Sequence, residues 1–143
     1  MNFEQARTNM VLNQLRANRI KNSSLIEKIE LFPRENLYPK SYKHLAYSDK
    51  IIFLDDGRFI LPPLTSFHLL QALGEIDDES ILEIGSGFGT STSIINKFSS
   101  NIDCIESSMQ MTEVFKNSIK DGLFNASLLA VSYTHLRAHE TEA

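Results

Sequence analysis

Between residues 2 and 21 apolar side chains recur at spacings of three and four: Phe3, Ala6, Met10, Val11 and Leu15, with Gln, Arg and Asn between them. That period predicts one amphipathic helix over 2–21. Ser23 and Ser24 are placed to cap a second helix over 25–31, which Pro33 stops. A loop over 32–39 and one helical turn over 41–46 follow. The pattern then changes, because residues 50–54 are apolar and β-branched, Asp55-Asp56-Gly57 is a turn signal, and residues 58–61 read as a returning strand. A small hairpin fits. Pro62 and Pro63 open a helix running through Phe67, Leu69, Leu70 and Leu73 to Gly74. From there the periods alternate: strand over 80–84, helix over 91–98, strand over 101–106, helix over 109–120 stopped by Gly122, and a third strand over 127–130. Alternation of this kind predicts an α/β fold with a parallel sheet.

The chemistry concentrates where the first of those strands ends. Residues 82–90 read LEIGSGFGT, so Gly85, Gly87 and Gly89 alternate before a helix opens. Such glycines let the backbone turn tightly and lie close to a ligand, with the next helix's free amides facing it. Dinucleotide loops usually carry G-x-G-x-x-G. Here the spacing is G-x-G-x-G, with Glu83 two residues before the first glycine. A carboxylate at that point repels a pyrophosphate and attracts a cationic amino-acid group, which favours S-adenosylmethionine (SAM). Glu106 closes the second strand, where an acid grips ribose hydroxyls in βαβ units.

Composition narrows the setting. A chain of 143 residues, 42% hydrophobic and 22% charged with four prolines, reads as one ordinary globular domain. No apolar run is long enough to span a bilayer, and the first ten residues carry an early acid and no apolar core, so a cytoplasmic protein without a secretory leader is expected. A formal charge of −4 argues against general affinity for nucleic acid. The single cysteine, Cys104, sits inside a strand, where a buried apolar role is expected. His44 and His68 read as surface residues, and Glu113, Lys116 and Lys120 as a solvated helix face. Tyr38, Tyr42 and Tyr47 either line a cleft or pack an irregular region.

The last thirteen residues break the pattern. VSYTHLRAHET, over 131–141, places His135 and His139 four apart with Glu140 after them, as for a metal pair on a helix. The string is instead what one frame of a transposon-end sequencing adapter translates to, so residues 131–143 are expected to be non-native and no metal site is expected. Native sequence is then expected to end near Ala130. Residues 1–74 form the helical and hairpin segment, and 75–130 the start of the core.

Several short motifs occur in one order: Ala6-Arg7-Thr8-Asn9-Met10-Val11, then Gln14-Leu15-Arg16-Ala17-Asn18, then Pro33-Arg34-Glu35, then Ala46-Tyr47 with Asp49, then the glycine loop. On these the sequence over 1–130 resembles the protein-L-isoaspartate O-methyltransferases. The resemblance implies a Rossmann-like class I methyltransferase fold, a doubly wound sheet of which this chain holds the first units. It implies transfer of the SAM methyl group to the free carboxyl of isoaspartyl residues in damaged proteins. Glu83, Gly85, Ser86, Gly87 and Gly89 would lie at the methionine end of SAM and Glu106 at its ribose. The family commonly has a serine in a string like I-S-Q-P, where this chain has Ile60-Leu61-Pro62-Pro63. Leu61 stands at the serine position and cannot hydrogen-bond, and Thr65 or Ser66 are the candidate replacements. The family's adenine-contacting element after the third strand has no counterpart here. Three readings stay open: the isoaspartyl enzyme, a SAM-dependent methyltransferase of another acceptor, and a SAM-binding homologue without turnover. Half a doubly wound sheet leaves an edge and helix faces uncovered, so poor folding and an inactive chain are expected.

Overall fold

The computed structural model describes residues 1–131. The adapter-like string beyond Val131, with its His135 and His139, lies outside them. From 1 to 62 the chain is a helical segment followed by a hairpin. Helix α1 (Phe3–Asn9) starts where the Asn2 side chain accepts from the Gln5 amide at 3.0 Å. The single helix expected over 2–21 does not form: α1 widens into a π-helical stretch over Met10–Leu15 and tightens into a 3₁₀ turn over Arg16–Asn18, ending at Arg19 with φ 69°. The wide turn puts Met10, Val11 and Leu15 together in the core, while Gln14 donates to the Tyr47 carbonyl at 2.8 Å. Tertiary packing overrides the 3.6-residue period there.

Helix α2 (Ser23–Leu31) is capped by Asn22, whose side chain accepts from the Leu25 amide at 3.0 Å, and not by Ser23 or Ser24, which are themselves helical. Strands β1 (Ile52–Phe53) and β2 (Phe59–Ile60) pair antiparallel, a shorter hairpin than the sequence predicts. Helix α3 (Pro63–Leu73) opens on Pro63 and ends at Gly74 as expected.

The α/β part follows as β3 (Ile81–Ile84), α4 (Thr92–Ile95), β4 (Ile102–Glu106), α5 (Met109–Lys120) and β5 (Ser127–Ala130). The three strands run parallel in the order β3-β4-β5, with Ile84 beside Ile105 and Ile105 beside Leu129. Among the described residues β3 is therefore an edge strand. Helix α4 is half the predicted length, because the chain beyond Ile95 closes with the short-range bonds Lys97 N to Ile94 O and Phe98 N to Ile95 O. Helix α5 is capped by Ser108, whose hydroxyl accepts from the Met111 amide at 3.2 Å.

One face of the sheet is covered. Cys104 and Ile102 are buried beneath Ile94, Ile95, Met111 and Phe115. The other face presents Leu82, Ile84 and Leu129, each more than half exposed. Parallel sheets are normally covered on both faces, so this open row is the least favourable feature of the fold. His44, His68, Glu113, Lys116 and Lys120 are all exposed. Tyr38 and Tyr47 are buried: Tyr38 packs edge-on against Phe88 at 5.7 Å, and Tyr47 donates to the Glu35 carboxylate and accepts from Arg7 at 3.3 Å. They pack the irregular region. No helix among the described residues is long and apolar enough to cross a membrane.

Candidate functional site

The loop between β3 and α4 turns on Gly85, Gly87 and Gly89, all at positive φ (78°, 61° and 88°). These three glycines do different work. An added Cβ on Gly85 or Gly87 would meet only Arg58 Nη2 at 3.5 Å or the end of Met111 at 3.8 Å, which is ordinary contact. On Gly89 it would stand 2.5 Å from Phe124 Cζ and 2.7 Å from Cε1. Gly89 is where the loop is pressed onto the Phe115–Phe124 pair, whose rings cross edge to face at 4.9 Å.

A cleft of about 90 Å³ opens above the loop. Glu83, Gly85, Ser86 and Gly87 line it from the loop side, Leu61 from the end of the hairpin and Ser66 from α3. Gly89 and Thr65 do not line it, Thr65 being exposed on α3. Ser86 Oγ is buried and makes no short hydrogen bond among the described residues, but it lies near enough to the Cys104 thiol to lower that group's pKa. Leu61 is half-buried in the wall, and the buried Ser66 lines the same space, as do Thr90 and Ser91.

Glu83 is half-buried, and its Oε2 accepts from Thr92 Oγ1 at 2.5 Å, with Cys104 Sγ 3.9 Å away. Burial raises its pKa from 4.5 to about 7, against the Thr92 and Cys104 hydrogen bonds that lower it, and the charge of Glu106 raises it further. Burial, followed by the Glu83 charge, likewise pushes the Cys104 thiol up to about 12.

Glu106 is fully buried and fully engaged. Its Oε2 accepts from the Gly87 amide at 2.8 Å and its Oε1 from the Ser107 and Ser108 amides at 2.8 and 2.9 Å. Arg58, from the hairpin, holds the outer edge with Nη1 on Oε1 at 2.5 Å and Nη2 on Oε2 at 3.2 Å. The sequence reading did not pick out Arg58. Nothing local marks it, since it stands in sequence as an ordinary strand residue after a turn, 48 positions from its partner. Larger hollows lie elsewhere, one of about 230 Å³ between α2, α3 and α4. No group of three or more His, Cys, Asp and Glu side chains gathers as for a metal among the described residues.

A parallel sheet with a glycine loop after one strand and a carboxylate at the end of the next defines an α/β domain of the Rossmann-like kind. The family model of "Protein-L-isoaspartate(D-aspartate) O-methyltransferase (PCMT)" matches residues 6–132, nearly the whole chain. The chain belongs to that methyltransferase family. A protein-L-isoaspartate O-methyltransferase of Protochlamydia amoebophila is 26% identical over 122 residues, covering 85% of this chain and 58% of the relative. Protein-L-isoaspartate O-methyltransferase 2 of Anaeromyxobacter is 33% identical over 92 residues, covering 64% of this chain and 38% of the relative. A solved protein-L-isoaspartate O-methyltransferase superposes with a TM-score of 0.69 at 21% identity, covering 88% of this chain and 42% of that one. The fold is thereby the same, and the chain spans about half the length of the relatives it matches.

Proposed function

We propose that this chain carries the SAM-binding half of a protein-L-isoaspartate O-methyltransferase, an enzyme that methylates the free carboxyl of isoaspartyl residues in damaged proteins. The observation that carries the reading is the cleft above the glycine loop. Glu83, Gly85, Ser86 and Gly87 line it, and Gly85 and Gly87 leave ordinary contact distance where side chains would stand. These residues fit the methionine moiety of SAM. On this reading Glu106, which sits behind the cleft wall bonded to the Gly87 amide and beneath Arg58, would serve the ribose.

Bound SAM supplies a methyl group on a sulfonium, a good leaving group, and the acceptor carboxylate is already a nucleophile. The chain's residues then need only hold two reactants in line and exclude water. Among them no nucleophilic side chain is required. Of the two candidate replacements for the family serine, Ser66, buried in the cleft wall, is the one that lines the cleft, while Leu61 offers only apolar contact. That apolar contact also supports the second reading, a methyltransferase of another acceptor. The test is transfer of radiolabelled methyl from SAM to an isoaspartyl peptide and to the same peptide with normal aspartate. Labelling of the isoaspartyl peptide alone supports the proposal, labelling of another acceptor supports the second reading, and SAM binding with no transfer supports a binding homologue without turnover.

A further inference from the structure

We propose that Arg58 is a displaceable stand-in for the ribose hydroxyls, so that it sets the affinity of the cleft for a nucleoside and its dependence on the vicinal diol. The inference rests on reading the cleft as a SAM site.

The argument starts from the lone pairs of Glu106. A carboxylate offers roughly four acceptor positions. Three are taken by the backbone amides of Gly87, Ser107 and Ser108, which the loop and the start of α5 fix in place. The two Nη atoms of Arg58 add a fourth and a fifth donor, one on each oxygen, and Nη1 also donates to Ser107 Oγ at 3.1 Å. For Glu106 to accept from a ribose, a donor must leave, and only Arg58 is a side chain.

The exchange is geometrically matched. A guanidinium fork and a vicinal diol both present paired donors to one carboxylate edge. Arg58 is also the exposed partner, with 32% of its side chain open to solvent against 0% for Glu106. Its departure need not open the hairpin. The Arg58 amide bonds Asp56 Oδ1 at 3.0 Å, and Asp56 accepts from the Ser108 hydroxyl, so the backbone stays docked on the start of α5 while the side chain swings. Arg58 also narrows the cleft it lines, whose volume of about 90 Å³ is far below the roughly 300 Å³ at which small-molecule sites begin.

Ligand affinity is reduced by the fraction of molecules in which the edge is free. Titration calorimetry on the full chain, with S-adenosylhomocysteine and its 2′,3′-dideoxy analogue as probes, reads this directly. Arg58→Ala should bind S-adenosylhomocysteine roughly tenfold tighter than the parent, the size of one net charge-assisted contact. Arg58→Lys, which keeps the charge and loses the fork, should fall between, and carries the comparison if the alanine variant does not fold. The dideoxy analogue cannot replace the guanidinium, so its affinity should be the same in all three. Equal or weaker binding of S-adenosylhomocysteine by the variants overturns the exchange and leaves the SAM reading standing. An equal gain for the dideoxy analogue also overturns it, because the effect is then steric. Absence of binding in folded parent and variants alike overturns the SAM reading and the exchange with it.

Discussion

Replacing Gly89 by alanine separates the packing role of the loop from its binding role. At φ 88° any L side chain is strained, at a cost of about 1 to 2 kcal/mol. Gly85 and Gly87 share that cost, since both lie at positive φ, and an added methyl there meets nothing closer than 3.5 Å. At Gly89 the methyl lands 2.5 and 2.7 Å from Phe124 ring atoms and 3.3 Å from Phe115 Cδ2. Phe124 is buried, and its ring is wedged against Phe115, so it cannot simply turn aside. Forcing such an overlap costs about 1 to 3 kcal/mol more, for a total of roughly 2 to 5 kcal/mol. Urea unfolding followed by circular dichroism gives the comparison. Gly89→Ala should fall below Gly85→Ala and Gly87→Ala by at least about 1 kcal/mol. Phe124→Leu, which removes the ring atoms in the way, should make the double variant more stable than the two single changes predict by a similar amount. If Gly89→Ala is no worse than Gly87→Ala, the close approach of loop and ring is wrong.

Three further outcomes follow from groups around the same loop. Glu83 has a folded pKa of about 7 against an ordinary 4.5, so its contribution to stability is fully present below 4.5 and is lost as pH rises through 7, amounting to about 3 kcal/mol at most; urea midpoints at pH 5 and pH 8 should show the fall, Glu83→Gln should flatten it, and parallel profiles would refute the assignment. Cys104, its thiol pushed up to about 12, should resist iodoacetamide at pH 8 in the native chain and react fully in urea, with equal rates in both counting against its burial. Tyr47→Phe removes the hydroxyl that links Glu35 and Arg7 and should cost about 1 to 3 kcal/mol in the same unfolding assay, whereas an unchanged midpoint would mean that Glu35 is satisfied by Arg7 alone, 3.6 Å away.

The features legible in sequence are those with a local cause. The β3 strand, the glycine turn, the Pro63 helix start and the Gly74 stop each announce themselves within a few residues, and the structure has them where the pattern puts them. Errors arise where distant contacts decide. The π-helical turn over Met10–Leu15 exists because the core needs Met10 and Leu15 on one face, a demand no local period records. Asn22 caps α2 in place of Ser23 or Ser24 because the helix begins two residues earlier than the pattern predicts, and both residue types cap well. Gly89 is recognisable as a required glycine, yet the reason lies 35 positions along the chain in Phe124. Between Thr65 and Ser66 the sequence offers no choice; the orientation of α3 turns Ser66 into the cleft and Thr65 to solvent. Arg58 is the extreme case, since its role depends wholly on the hairpin docking over the end of β4.

The two acids of the site are close in chemistry and opposite in setting. Glu106 is met by backbone amides and a guanidinium, donors that stabilise its charge, and its own charge adds to the burial that raises Glu83. Glu83 is met by a hydroxyl and a thiol, which do less for a buried carboxylate. Near neutral pH Glu83 is thus poised between its neutral and charged forms, and an arriving ammonium group would draw it to the charged one and release a proton. At the other end, Glu106 is held by three backbone amides and by the Arg58 fork. On the proposed SAM reading the glycine loop would join two subsites governed by different chemistry: an amino-acid end that answers to pH through Glu83, and a ribose end that answers to the exchange of donors at Arg58.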